Sequence, residues 1–146
     1  MSFVLDNSVA MRWLLAADKP KDAGYAAKVL DSLKETQAIV PSLWPLEVAN
    51  VVVKAESKGL VTEARTQAFI TLLSRLNIVI DNATAAQALG ETLGLARRYR
   101  LSAFDAAYLE LALRNGLPLA TLDDGLAKAA RKSGVHLAGV HLFSAQ

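Results

Sequence analysis

Residues Met1–Ala10 read MSFVLDNSVA. Phe3, Val4 and Leu5 form a short continuous apolar run, the pattern of a strand buried on both faces. Asp6, Asn7 and Ser8 follow at once, and the chain turns apolar again at Val9 and Ala10. An ionisable group at the end of a strand aimed into the middle of a domain is costly unless it is paired or put to use.

Working outward, the same kind of run recurs at Ala38–Val40, Ile78–Ile80 and Leu117–Ala120, with a weaker one at Val140–Phe143. Between these runs lie segments of helical pattern: Ser8–Ala17, Ala23–Glu35, Leu43–Lys58, Glu63–Leu76, Ala85–Arg98, Phe104–Asn115 and Gly125–Lys132. Gly59, Gly116 and Gly134 each follow such a segment, where a left-handed residue closes a helix. Ser42, Thr62, Thr84 and Ser102 each precede one as N-cap candidates. In the fourth segment Ala64, Ala68, Phe69, Leu72, Leu73 and Leu76 are expected to share one apolar face. Strands alternating with helices predict an α/β fold whose parallel sheet is covered on both faces. In such sheets ligands bind beyond the carboxyl ends of the strands, and Asp6 stands at one.

The chain has 146 residues, which suits a single domain spanning 1–146. Hydrophobic residues make up 53% and mean hydropathy is +0.27, yet no apolar run reaches the length of a membrane span. The apolar surplus is expected to cover an interface with another chain. There is no cysteine, which excludes disulfides, thiolate zinc sites and cysteine nucleophiles and agrees with a reducing cytoplasm. No signal peptide is expected, so the predicted location is cytoplasmic. Net charge is +2, from 16 basic and 14 acidic residues. If four acids gather in one site, the remainder stands at 16 against 10, a surface able to attract a polyanion.

Three further carboxylates join Asp6. Glu47 lies in PSLWPLEVANVVV, with Leu43, Trp44, Asn50 and Val51 as its helical neighbours. Asp105 lies in the first turn of an apolar helix in LSAFDAAYLELA, and Asp123 follows a strand in PLATLDDGLAKAA. Taken singly, Asp6 and Asp123 read as helix caps, and Ser102 with Asp105 as a capping box. Glu47, on a mid-helix apolar face, has nothing to cap. As a set, oxygen donors at strand ends and first turns, with one protruding from a buried helix, describe a hard-cation site suited to Mg2+ or Mn2+.

The four segments VLDNSV (4–9), PLEVANVV (45–52), LSAFDAAYLELA (101–112) and PLATLDDGLAKAA (118–130), in this order, resemble a PIN domain, and more narrowly the VapC toxins of type II toxin–antitoxin modules. The resemblance implies a three-layer α/β/α PIN-like sandwich with a central, mainly parallel sheet of four to five strands. It implies a Mg2+- or Mn2+-dependent endoribonuclease whose acidic quartet is Asp6, Glu47, Asp105 and Asp123. Asn7, Ser8 and Thr121 match the flanking polar positions, and Asp124 follows the fourth motif. It also implies a homodimer and a cognate antitoxin whose peptide covers the site and its groove.

On this reading Asp6, Asp105 and Asp123 hold metal, directly or through water, and Glu47 binds metal or orients the attacking water. Ser8 and Thr121 donate to a carboxylate or to the scissile phosphate. No covalent intermediate is expected. Arg97, Arg98 and Arg100 around Tyr99 are RNA-binding candidates, as are Lys128, Arg131 and Lys132, although both groups also suit solvated helix ends. His136 and His141 read as structural or surface residues. Trp13 and Trp44 read as core or interface anchors, and Arg12–Ala16 and Val51–Val53 as interface candidates. The competing readings are a non-catalytic PIN-like module for RNA or protein, and a receiver or haloacid-dehalogenase-type phosphatase. The last two lack their paired acids after the first strand, where this chain has Asp6-Asn7-Ser8.

Overall fold

Buried apolar strands need a partner on each edge and a helix on each face, and the computed structural model, which describes residues 1–139, has that arrangement. Four strands, β1 (Ser2–Leu5), β2 (Gln37–Pro41), β3 (Ile78–Asp81) and β4 (Leu119–Ala120), form one sheet in the order β3-β2-β1-β4, with all neighbours parallel. Phe3, Val4 and Leu5 are fully buried. Helices α1 (Asn7–Ala10) and α2 (Pro20–Ser32) connect β1 to β2. Helices α3 (Trp44–Ser57) and α4 (Glu63–Arg75) connect β2 to β3. Helices α5 (Thr84–Gln87), α6 (Leu93–Tyr99) and α7 (Ala103–Asn115) lead to β4, and α8 (Asp124–Ser133) follows it. Both faces are flanked by helices, as expected. The expected strand at Val140–Phe143 and His141 lie outside the described residues. Leu137 makes a single parallel bridge to Leu119 at that edge of the sheet.

The strand order places the site. From β1 the chain builds outward through β2 and β3, then returns to add β4 on the other side of β1. The connections leaving β1 and β4 therefore diverge, opening a crevice at their carboxyl ends. Asp6 ends β1 and Thr121 ends β4, side by side at that switch point.

Several element boundaries differ from the expected ones, for local reasons. The first helix stops in a 3-10 turn at Met11–Trp13 instead of Ala17. Trp13 Nε1 donates to Ala26 O of α2 at 2.9 Å, and Leu14 is buried, so Arg12–Ala16 serves the chain's own core more than an interface. Helix α2 begins at Pro20, because proline is preset for the first helical turn. Ser42 and Thr84 do not cap helices. The Ser42 N–H donates to Thr84 Oγ1 at 2.8 Å and joins the loops after β2 and β3. Thr62 and Ser102 do cap, accepting from Arg65 N and Asp105 N at 3.1 and 3.0 Å. On α4 the inward face runs through Thr66, Phe69, Leu73 and Leu76, while Ala64 and Ala68 are exposed. Thr66 is drawn inward because its hydroxyl donates to Glu56 of α3 at 2.7 Å. A π-helical turn, Ala88–Thr92, interrupts the segment between α5 and α6.

Candidate active site

Asp6 closes β1, and its N–H donates to Ala120 O of β4 at 3.0 Å. It sits at the N-cap position of α1 but makes no side-chain cap bond, so capping does not explain it. Its Oδ2 accepts from Ser8 Oγ at 2.5 Å and from Thr121 Oγ1 at 2.8 Å, and the residue is 4% exposed. Each hydroxyl spends its one proton on Asp6 and in turn accepts a backbone N–H. Leu122 N donates to Ser8 Oγ at 2.9 Å, and Asp123 N donates to Thr121 Oγ1 at 3.0 Å. Of the two expected roles for Ser8 and Thr121, the structure shows donation to a carboxylate.

Asp123 does cap α8: its Oδ2 accepts from Leu126 N at 2.8 Å. Among the described residues, no hydrogen bond reaches Oδ1 of Asp6 or of Asp123. Asp105 stands in the first turn of α7, its N–H bound by Ser102. Glu47 stands in the first turn of α3 rather than mid-helix, and its Oε1 accepts from Tyr108 of α7 at 2.5 Å.

The four acids share one electrostatic environment. Burial raises the Asp6 carboxyl above its ordinary range, the Ser8 and Thr121 bonds oppose this, and Glu47 and Asp123 add to it. Burial raises Asp105 to about 6, helped by the charges of Asp6 and Asp123 and opposed by Ser102. Burial raises Glu47, against the Tyr108 bond, with Asp105 adding. Burial and the nearby carboxylates push the Tyr108 phenol far above its usual range. No cation offsets the cluster: the ion pairs among the described residues are Lys34–Asp31, Arg114–Asp81 and Arg114–Glu110.

A divalent cation suits this donor set, which is all oxygen, mutually repelling and unpaired. Among the described residues no three acidic or histidine side chains stand close enough to form a closed cage. Asn7 is buried beside Asp6 in sequence, and its Oδ1 has no hydrogen-bond partner. Asp124 is exposed in the first turn of α8. Arg97, Arg98 and Arg100 lie exposed at the C-terminal end of α6, and none of them forms an ion pair among the described residues.

Two features escape sequence reasoning. Tyr108 bonds Glu47 across 61 positions, with only its spacing of three from Asp105 on α7 as a hint. Arg114 clamps Asp81 with both terminal nitrogens, at 3.1 and 2.7 Å, and also binds Glu110, tying the carboxyl end of β3 to α7. The Glu110–Arg114 spacing of four was a visible helical ion-pair signal.

The fold agrees with the comparisons with known proteins. The family model for the PIN domain matches residues 3–132, and the chain belongs to the PIN domain family. No curated protein sequence matches significantly. Similar solved structures include PAE2754 from Pyrobaculum aerophilum, at 22% identity and TM-score 0.70, covering 100% of both chains. The structure of VapBC2 from Rickettsia felis, bound to a DNA fragment from their promoter, gives 18% identity and TM-score 0.63 over 94% of this chain and 97% of that one. FitAcB from Neisseria gonorrhoeae gives 19% and 0.60 over 96% and 98%. At these identities the likeness establishes the fold. No described helix is long and apolar enough to cross a membrane.

Proposed function

We propose that this PIN-family chain is a Mg2+- or Mn2+-dependent endoribonuclease and the toxin of a type II toxin–antitoxin module, working in the cytoplasm as a homodimer. The observation that carries the reading is that charges among Asp6, Glu47, Asp105 and Asp123 raise the carboxyls of Asp6, Glu47 and Asp105 near the switch point of the sheet, with no ion pair to any of the four among the described residues. A bound divalent ion would supply Lewis acidity at the phosphate and a water of lowered pKa.

Asp6, Asp105 and Asp123 would hold that ion directly or through water, the Oδ1 atoms of Asp6 and Asp123 being free to do so. Ser8 and Thr121 keep Asp6 oriented by fixing its Oδ2. Tyr108 fixes Glu47 Oε1 and leaves Oε2 to orient the attacking water. No side chain attacks phosphorus in this scheme, so cleavage is a single hydrolytic displacement.

An apolar groove of about 390 Å³ between α3 and α4, lined by Trp44, Val48, Val52, Val53, Ile70 and Leu73, supports an antitoxin partner. Trp44 anchors the floor of this groove, 7% exposed. Val53 is 64% exposed, which supports the Val51–Val53 run as an interface.

The non-catalytic alternative draws on the absence of a closed three-carboxylate cage among the described residues. One experiment separates them: a mixed RNA pool incubated with purified protein and Mg2+ or Mn2+, then with EDTA, beside Asp105→Asn. The nuclease reading predicts cleavage that EDTA and the substitution both abolish. Intact RNA in every metal, or cleavage unchanged in Asp105→Asn, would overturn it.

A further inference from the structure

The two basic runs of the sequence, Arg97–Arg100 and Lys128–Lys132, look separate but meet in space. Arg98, Tyr99 and Arg100 at the end of α6 and Lys128 and Lys132 of α8 line one pocket of about 330 Å³. Arg98, Arg100, Lys128 and Lys132 have no carboxylate partner among the described residues, so the pocket's charge is uncompensated. The Arg98 guanidinium lies 5.6 Å from the Tyr99 ring centre, a cation–π contact that holds it over the ring.

Two residues of the pocket's lining border the turns that carry Asp105 and Asp123. Leu101 and Gly125 also line it. Leu101 immediately precedes Ser102, which binds the first turn carrying Asp105. A Cβ built on Gly125 would stand 3.4 Å from Asp123 Oδ2, so this residue borders both the pocket and the acid. A cationic pocket beside an acidic centre is the arrangement a hydrolase of polyanions needs. The acids take a metal at the reacting phosphate, while guanidinium and ammonium groups hold a neighbouring phosphate.

We propose that the pocket between the end of α6 and α8 binds the backbone phosphates of single-stranded RNA next to the scissile one, with Arg98, Arg100, Lys128 and Lys132 as positioning residues. The inference rests on the nuclease reading and adds the path of the strand to it. Arg100 offers a clean probe. It is the only non-glycine among the described residues with positive φ, at 56°, and it occupies the left-handed position that ends α6. Glycine adopts that conformation without strain, so Arg100→Gly removes the charge while favouring the fold.

The experiment is fluorescence-anisotropy titration of a labelled single-stranded RNA with wild type, Arg100→Gly, Lys128→Ala and the double variant, in EDTA, at several salt concentrations. Arg75→Ala serves as the control, because Arg75 ends α4 just before β3, at the opposite edge of the sheet. Loss of each pocket cation should weaken binding to all sequences alike and lower the slope of log K against log salt by about 1, hence about 2 in the double variant. The double variant's Kd should rise at least about tenfold at moderate salt, while Arg75→Ala matches wild type. The melting temperature of Arg100→Gly should equal or exceed that of wild type. Unchanged Kd and slope in the double variant, or no RNA binding by wild type in EDTA, would overturn the pocket assignment. Metal-dependent cleavage by the same wild-type protein would show in either case that the nuclease reading survives the pocket's failure.

Discussion

Asp105→Asn should make the metal-free protein more stable, and the gain should depend on pH. In the folded chain the Asp105 carboxyl is raised from 3.8 to about 6, first by burial and then by Asp6 and Asp123. Its ionised form is therefore disfavoured in the native state. A raised carboxyl means that the native state binds more protons than the unfolded state between about pH 4 and pH 6, so wild-type stability falls as pH rises through that window. At 1.36 kcal/mol per pH unit the shift corresponds to about 3 kcal/mol, and half-exposure to water and salt reduces this to about 1 kcal/mol. For a chain of this length, about 1 kcal/mol moves the melting temperature by roughly 2–4 °C. The assay is thermal unfolding by circular dichroism, in EDTA, from pH 4 to pH 7.5, for both proteins. The curves should coincide near pH 4 and separate to the full difference above pH 6, with the variant higher. Saturating Mn2+ should then stabilise wild type selectively and narrow or reverse the gap. A gap independent of pH, or a wild type more stable than the variant at pH 7.5 in EDTA, would refute the claim that the acids repel one another in a shared site.

Other perturbations have equally definite outcomes. Tyr108→Phe removes the donor to Glu47 Oε1, which costs about 1 kcal/mol in urea unfolding and raises the Glu47 carboxyl further, so the acid limb of the cleavage profile moves to higher pH. Thr121→Val leaves Asp6 Oδ2 with one donor and the Asp123 N–H with none, and should lower stability by about 1–2 kcal/mol and reduce RNA cleavage. Arg114→Ala strands the buried Glu110 carboxylate and frees Asp81, and the urea midpoint should fall by the equivalent of about 3 kcal/mol. Arg114→Lys should restore only part of that loss, because a single ammonium cannot reproduce the forked contacts to two carboxylates.

Much of the architecture is legible in the sequence because buried parallel strands are apolar on both faces. Phe3–Leu5, Ala38–Val40 and Ile78–Ile80 each fall inside a strand, although Val79 and Ile80 of the edge strand β3 are exposed, and Leu119–Ala120 is the part of the fourth run that pairs. Helix ends at Gly59, Gly116 and Gly134 follow from backbone sterics, and all three residues have positive φ. Tertiary partners decide the rest. Thr84 has the composition of a cap, but its hydroxyl accepts instead from the Ser42 N–H of the loop after β2. The buried face of α4 is rotated because Thr66 finds Glu56. Asp6, Asp105 and Asp123 could be placed at junctions by local pattern alone, whereas Glu47 reads as mid-helix and stands in the first turn of α3. The bonds that orient them, from Thr121 to Asp6 and from Tyr108 to Glu47, span long stretches of chain and depend on strand order. The basic pocket is hidden for the same reason, since its two halves lie about thirty positions apart and meet only through the packing around α7.

The central claim is that Asp6, Glu47, Asp105 and Asp123 form one cation site. Titration of Mn2+ into the protein, read by the loss of the free-ion electron paramagnetic resonance signal, tests it most directly. Wild type should take up Mn2+ in competition with Mg2+, and Asp6→Asn and Asp105→Asn, each shown to be folded, should each bind at least about tenfold more weakly. Equal uptake by all three proteins, or none by wild type, would contradict it.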